Sequence, residues 1–169
     1  MIHLITGGQR SGKSRQAQHL ALKLSERPIY VATSRIWDDE HRKRIARHKE
    51  DRANLFDTVE EELRIGELNL AGRVVVVDCI TLWLTNIFFD FEADVDKSLI
   101  FAKEQIAHLA RQDAHLIVVS NEIGMGGTSP NELQVKFTDL QGFVNQHIAQ
   151  LADSVTLMVS GISVTLKQM

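Results

Sequence analysis

The chain has 169 residues, of which 44% are hydrophobic and 24% charged, as is ordinary for a soluble globular protein with one domain over residues 1–169. Its formal net charge of -3 provides no general basic field, so we expect neither nucleic acid nor an anionic membrane as its partner. The single cysteine, Cys79, excludes an internal disulfide and suits a reducing cytoplasm.

No stretch resembles a targeting or membrane segment. The apolar run at the N-terminus is short and has no basic region before it, which excludes a signal peptide. The most apolar stretch, residues 80–91, is shorter than the roughly 20 residues that a membrane-spanning helix needs. We therefore expect a cytoplasmic protein without a membrane span. The aromatic residues of this stretch fit either a protein core or a subunit interface.

Short apolar runs alternate with amphipathic stretches along the chain. In chain order the pattern predicts a strand at 2–6, a loop at 7–12, a helix at 13–25, a strand at 29–32, a charged helix at 38–52, a strand at 74–77, a helix at 94–111, a strand at 116–120, a helix at 133–151, and strands at 155–160 and 163–166. The last two strands suggest a hairpin around Gly161, and Gly142 weakens the helix that precedes them. This order predicts an α/β fold with a mostly parallel central sheet.

The predicted loop after the first strand fits the phosphate-loop pattern G-x-x-x-x-G-K-[ST]. In that pattern backbone N–H groups surround phosphate oxygens, the lysine contacts the β- and γ-phosphates, and the last hydroxyl holds Mg²⁺. The alternative is an ordinary glycine-rich turn. The motif predicts a P-loop NTPase-like three-layer fold that binds a nucleoside triphosphate with Mg²⁺. Its residues are Gly7, Gly8, Gln9, Arg10, Ser11, Gly12, Lys13 and Ser14.

Several polar residues follow predicted strands directly, where parallel sheets bind their ligands. Asp78 ends a run of four valines, as does the carboxylate that orients Mg²⁺ in many P-loop enzymes, although an acid there also caps helices. Thr33 and Asn121 follow two other strands. Glu122 suggests either a carboxylate that assists the metal or the reacting hydroxyl, or one that binds loop amides.

The charged helix carries Glu40, Arg44, His48 and Arg52 at intervals of four, which places them in one stripe. A histidine among cations stays neutral near pH 7 and is therefore nucleophilic, and neighbouring arginines neutralise phosphate oxygens. The alternative is a solvated charged face.

Seven segments together resemble the bifunctional adenosylcobinamide kinase/adenosylcobinamide-phosphate guanylyltransferase family of cobalamin biosynthesis. They recur in order over nearly the whole chain and read TGGQRSGKSRQA, YVATS, DDEHRKRIARHKEDR, VVVDCITLWLTN, SNEIGMG, FTDLQGFVNQ and ADSVTLMVSGI. The resemblance implies two reactions. A triphosphate first phosphorylates the aminopropanol hydroxyl of adenosylcobinamide, and GMP from GTP is then transferred to adenosylcobinamide-phosphate through a guanylylated histidine.

The resemblance assigns roles to individual residues. It implies that His48 is the guanylylated histidine, that Lys13 acts at the phosphates, and that Ser14 and Asp78 hold Mg²⁺. It also implies a homotrimer with the nucleotide site near a subunit boundary. Besides the phosphate loop, the implied nucleotide contacts are Thr33, Ser34, Arg35, Lys49, Glu50, Asp51, Arg52, Glu60 and Asp78.

The chain departs from the family pattern at Glu132, Val135 and Phe143, where arginines are usual. Loss of guanidinium groups predicts a weaker site for the phosphorylated corrinoid side chain. Two other functions therefore stay open: a small-molecule P-loop kinase in which His48 is a bystander, and a GTP-binding homologue with weakened corrinoid activity. Gly124, Gly126 and Gly127 indicate a loop with unusual dihedral angles or close ligand approach.

Overall fold

The computed structural model describes residues 1–35 and 55–168, so the predicted helix at 38–52 lies outside the described residues. The elements in chain order are β1 Ile2–Gly7, α1 Lys13–Leu24, β2 Ile29–Ala32, β3 Asp57–Glu60, a 3-10 turn Ile65–Glu67, β4 Val74–Asp78, α2 Ile80–Asp90, α3 Val95–Ala110, β5 His115–Val119, α4 Glu132–Leu151, β6 Ser154–Val159 and β7 Ile162–Gln168.

All seven strands belong to one sheet with the order β3-β2-β4-β5-β1-β6-β7. The first six are parallel to one another, and β7 runs antiparallel to β6 at the edge. The turn between them contains Ser160 and Gly161, both with positive φ. The prediction of a mostly parallel sheet with a C-terminal hairpin is confirmed.

Helices cover the sheet on both faces. On one face, α1 packs through Ala17 and Ala21 against a cluster that includes Val76. On the other face, α2, α3 and α4 pack over a larger cluster that includes Val75 and Val77. All three valines are 0% exposed, and burial of each such side chain contributes about 1.5–3 kcal/mol. This confirms the three-layer arrangement and explains why the valine run is unbroken.

The apolar stretch at 80–91 forms core. Its residues from Ile80 to Asp90 are helix α2, in which Trp83 and Phe88 are at most 1% exposed, while Phe89 is 51% exposed. The indole of Trp83 donates a hydrogen bond to the Leu63 carbonyl at 2.9 Å, which ties α2 to the turn after β3. No helix of the described chain is long and apolar enough to span a membrane.

Candidate functional site

The phosphate loop joins the end of β1 to the start of α1 at the centre of the sheet's carboxyl edge. Gly7 must lack a side chain, because a Cβ there would collide with the Met158 carbonyl oxygen on β6. Gly12 has φ 97°, a conformation that favours glycine, and it directly precedes the first residue of α1. The loop therefore presents backbone N–H groups at a helix N-terminus, an arrangement that binds anions.

Lys13 is the first residue of α1 and only 6% exposed. Its Nζ donates hydrogen bonds to the Gly8 carbonyl at 2.5 Å and to Ser11 Oγ at 3.4 Å. Burial lowers the pKa of this ammonium, and the nearby Cys79 and Asp78 oppose that shift. The loop thus contains a partly desolvated cation whose charge an incoming phosphate would compensate.

Asp78 is the last residue of β4 and lies beside Ala32 of β2 and Val119 of β5. Its carboxylate accepts a hydrogen bond from the Tyr30 hydroxyl at 2.5 Å, which fixes its orientation. Tyr30 itself is buried in β2. No local sequence pattern indicates this partner, because Tyr30 and Asp78 lie 48 residues apart in the chain.

The phosphate loop and Asp78 line one cavity of about 750 Å³, a size typical of small-molecule sites. This phosphate cavity combines the carboxyl ends of β4 and β5 with the β6–β7 turn, whose Gly161 N–H donates to the Ser11 carbonyl at 3.0 Å. Its lining residues are Gln9, Arg10, Ser11, Gly12, Lys13, Ser14, Arg15, Asp78, Cys79, Leu82, Val119, Asn121, Ser160 and Gly161.

Six of these lining residues were not predicted as site residues: Arg15, Cys79, Leu82, Val119, Ser160 and Gly161. The predicted hairpin was a usable signal for the last two, because a strand parallel to β1 also ends at the carboxyl edge. Burial raises the pKa of the Cys79 thiol to about 12, which leaves it without nucleophilic character.

Asn121 is held in the cavity wall by a network of side chains. Its N–H donates to Thr81 Oγ1 and its carbonyl accepts from Asn145 Nδ2, both at 3.0 Å. On α4, Gln141 donates to the Ser120 hydroxyl at 2.9 Å, and Ser120 donates to Asn145 at 2.6 Å. Helix α4 therefore positions this corner of the site.

Glu122 makes hydrogen bonds within the protein. Its Oε1 accepts from the Gly124 N–H at 2.9 Å, and its own N–H donates to the Gly7 carbonyl at 3.0 Å. Of the two interpretations from sequence, these contacts match the carboxylate that binds a loop amide. They also attach the loop after β5 to the start of the phosphate loop.

Four predicted nucleotide contacts, Thr33, Ser34, Arg35 and Glu60, do not line the phosphate cavity. They follow β2 or end β3, farther along the same edge of the sheet. Thr33 is 0% exposed and donates its hydroxyl hydrogen to the Cys79 carbonyl at 2.8 Å. The carbonyl of Thr33 accepts from the buried Asn86 of α2 at 2.7 Å. Their contact with the nucleotide stays a prediction.

Arg35 forms a bidentate ion pair near this part of the site. Its guanidinium donates two parallel hydrogen bonds of 2.6 Å to Asp90 at the end of α2, and a third of 2.8 Å to Glu62. The hydrogen bond from Arg35 lowers the pKa of Asp90. A phosphate would have to compete with two carboxylates for this cation.

Five of the predicted site residues lie outside the described residues: His48, Lys49, Glu50, Asp51 and Arg52. Their roles stay predictions. Arg35, the last described residue before them, lies three residues beyond the carboxyl end of β2, at the edge that also carries the phosphate loop.

The residues at the phosphate loop fit Mg²⁺. Within residues 1–35 and 55–168 no group of three or more His, Cys, Asp or Glu is arranged to hold a metal. A hydroxyl from Ser14 and a carboxylate from Asp78 nevertheless line the same cavity. Mg²⁺ is usually held by one or two such oxygen ligands together with substrate phosphates and water.

The chain is similar to known proteins over nearly its whole length. Residues 3–166 match the family described as Cobinamide kinase / cobinamide phosphate guanyltransferase. The chain is 40% identical to the bifunctional adenosylcobalamin biosynthesis protein CobU of Escherichia coli (strain K12), over 99% of this chain and 100% of that protein. It is 37% identical to the corresponding protein CobP of Pseudomonas aeruginosa, over 99% and 98% of the two chains.

Among solved structures, the PH0250 protein of Pyrococcus horikoshii OT3 matches with a TM-score of 0.58 at 10% identity, over 99% of this chain and 86% of that chain. This likeness concerns the fold alone. The family match and the two relatives together show that the chain belongs to the cobinamide kinase / cobinamide phosphate guanyltransferase family.

Proposed function

We propose that this chain phosphorylates adenosylcobinamide and then transfers GMP from GTP to adenosylcobinamide-phosphate. The observation that carries the proposal is the phosphate cavity, where Lys13, Ser14 and Asp78 converge at the carboxyl edge of the sheet. Both reactions need a site that grips a triphosphate. The names of the family and of its relatives supply the identity of the acceptor.

In this proposal the phosphate loop, Gly7–Ser14, binds the triphosphate through its N–H groups and through Lys13. Ser14 and Asp78 hold Mg²⁺, which neutralises negative charge on the phosphate oxygens when it is bound. Tyr30 supports Asp78 by donating to its carboxylate, which keeps an oxygen oriented. Lys13 exchanges its bond to the Gly8 carbonyl for bonds to phosphate.

His48 is the proposed nucleophile of the transfer step. An imidazole nitrogen forms a bond to the α-phosphorus of GTP, the bond from that phosphorus to the bridging oxygen breaks, and pyrophosphate leaves. An oxygen of adenosylcobinamide-phosphate then attacks the same phosphorus and releases the imidazole. The resemblance supports a further set of proposed nucleotide contacts. These are Thr33, Ser34, Arg35, Lys49, Glu50, Asp51, Arg52 and Glu60.

The covalent intermediate gives the sharpest test. GTP labelled at the α-phosphate should leave label on the protein that acid removes and base does not, as expected for a phosphoramidate. His48→Ala should abolish this labelling, whereas His41→Ala, a histidine of the same predicted helix, should retain it. If the wild-type protein takes up no label in the presence of Mg²⁺, transfer through histidine is wrong.

The same preparation separates the remaining alternatives. A small-molecule kinase with a bystander histidine would phosphorylate adenosylcobinamide from ATP or GTP without forming the labelled protein. A GTP-binding homologue with weakened corrinoid activity would form the labelled protein but little phosphorylated corrinoid. The proposed bifunctional enzyme would form the labelled protein and would also phosphorylate adenosylcobinamide.

We further propose that the protein works as a cytoplasmic homotrimer. An exposed apolar surface supports the oligomer: Val159 pairs with Ile162, and Leu157 with Val164, on one face of the β6–β7 hairpin. Val159 is 51% exposed and Ile162 68% exposed. Because the turn between them lines the phosphate cavity, a subunit docked on this hairpin face would lie close to the nucleotide.

A further inference from the structure

We propose that a second cavity, formed by the loop after β5 and helix α4, receives the amide-bearing edge of the corrin ring of adenosylcobinamide. The cavity measures about 350 Å³. A corrin ring with its substituents is larger than this space, so one edge of the ring enters and the remainder stays outside. The inference rests on the proposed function, since it names the place where that function's acceptor binds.

The chemistry of the lining favours neutral amides over phosphate. Thr128 and Ser129 contribute hydroxyl groups, and Gln146 contributes a side-chain amide. No Lys or Arg occurs among the described residues that line the cavity, and the one carboxylate there, Asp139, repels anions. A phosphate site needs cations or converging N–H groups, whereas acetamide and propionamide side chains need neutral donors and acceptors.

Phe143 adds an apolar surface to the lining of the second cavity. It lies on α4, is 49% exposed, and lines the cavity. A half-exposed aromatic ring beside polar groups is typical of ligand sites, because its face packs against an apolar ring system. The methyl-bearing rim of a corrin ring offers such a surface between its amide side chains.

The second cavity is close enough to the phosphate cavity for one substrate to occupy both. Asn121 lines the phosphate cavity and Gly124 lines the second. Three peptide units separate them, so their Cα atoms are at most about 11 Å apart. Glu122 fixes the connection, because it bonds to Gly7 on one side and to Gly124 on the other. A corrin edge in the second cavity therefore leaves its aminopropanol arm within reach of the phosphates.

Gly142 provides independent support, because no packing constraint explains it. It lies in the interior of α4, where glycine lowers helix stability relative to alanine. A Cβ at this position would meet nothing within 4 Å. Since Gly142 lines the second cavity, a side chain there would take up cavity space, and its absence keeps the cavity open.

Gly142→Leu tests the assignment by filling the cavity. We expect the KM for adenosylcobinamide to rise about tenfold or more, as pockets discriminate at the level of single methylene groups. Labelling of the protein by α-labelled GTP without corrinoid should keep its wild-type rate. Gln150→Leu adds the same side chain to the same helix outside the cavity and should behave as wild type in both assays.

Gly142→Ala is a second variant, for use if Gly142→Leu fails to fold. We expect it to fold, because its added methyl group meets nothing within 4 Å. It should raise the KM for adenosylcobinamide by a smaller factor and leave GTP labelling intact. If wild type phosphorylates adenosylcobinamide and both Gly142 variants retain its KM, the corrin assignment is wrong and the proposed function stands. If wild type neither binds nor phosphorylates adenosylcobinamide, the proposed function itself fails, and the assignment with it.

Discussion

At the scale of single residues, Lys13 has a charged group in a poorly solvated position. The residue is 6% exposed, and burial lowers its pKa. The buried charge therefore does not contribute to the stability of the fold. Its hydrogen bonds go to Gly8 and Ser11 of its own loop. The expected use of such a cation is to bind an anion that displaces these partners.

Lys13→Ala should therefore abolish tight triphosphate binding while the protein stays folded. Hydrogen bonds to charged groups contribute about 1.5–3 kcal/mol, which corresponds to a loss of roughly 10- to 150-fold in affinity. Calorimetric titration with GTP and Mg²⁺ measures the loss, and urea unfolding checks the fold. Lys23→Ala, an exposed lysine at the other end of α1, is the matched control. Normal affinity in the Lys13 variant would contradict the assignment of the phosphate loop.

The residues of the site differ in how well sequence predicts them. The phosphate loop is recognisable because all its functional atoms come from eight consecutive residues. Arg35 illustrates the opposite case: its partner Asp90 lies 55 residues away, and no local pattern indicates that two strands and a helix bring them together. Asp78 was predicted, but its hydrogen bond from Tyr30 was not, because the two residues lie 48 positions apart in the chain.

At the scale of elements, the 3-10 turn Ile65–Glu67 approaches helix α3 closely. The N–H of Gly66 donates to Gln105 Oε1 at 2.9 Å. A Cβ at Gly66 would lie 2.5 Å from the Gln105 carbonyl oxygen and 2.8 Å from His108 Cβ. Any side chain at this position must therefore push the turn away from the helix.

Gly66→Ala should lower the free energy of unfolding by about 1–3 kcal/mol, the usual cost of overpacking. Gly142→Ala is the matched control, since the same substitution meets nothing within 4 Å in α4 and should raise stability by up to about 1 kcal/mol. Urea denaturation of both variants beside wild type measures the difference. Equal stability of the two variants would mean that the contact between turn and helix does not constrain Gly66.

Hydrophobic periodicity predicted most of the helices and strands, but it did not predict β3, the 3-10 turn Ile65–Glu67 or α2. Strand β3, Asp57–Glu60, contains a single apolar residue, Val59, and lies at the sheet edge, so it lacks the pattern of a buried strand. Helix α2 is apolar on nearly all sides because its buried residues belong to the same core cluster as Val75 and Val77 of β4, and Trp83 bonds to the segment after β3. Without a polar face, its sequence has no helical periodicity to detect.

At the scale of the whole molecule, the C-terminal hairpin contributes both to the site and to the proposed subunit contact. Lys167 donates to the Ala149, Gln150 and Ala152 carbonyls, which fastens β7 to the end of α4. The exposed residues Val159 and Ile162 lie beyond this attachment. An edge strand with exposed apolar side chains is unfavourable in a monomer, which favours a partner there.

A double variant, Val159→Lys with Ile162→Lys, should convert the proposed trimer to monomers. Four positive charges would meet wherever two hairpins approach each other. Light scattering coupled to gel filtration measures the mass. Lys23→Ala again serves as a control that should stay trimeric. A wild-type protein of monomer mass, or a trimer that survives both substitutions, would remove the hairpin face from the proposed interface.

The exposed β6–β7 turn and the single cysteine of the chain together make site-specific labelling of the protein practical. Cys79 is the sole thiol, and its pKa of about 12 makes it unreactive towards alkylating dyes at neutral pH. Ser160, by contrast, is exposed at the mouth of the phosphate cavity. We therefore expect a Ser160→Cys protein to accept a single fluorophore beside the phosphate cavity, where its emission should report binding of the proposed nucleotide directly.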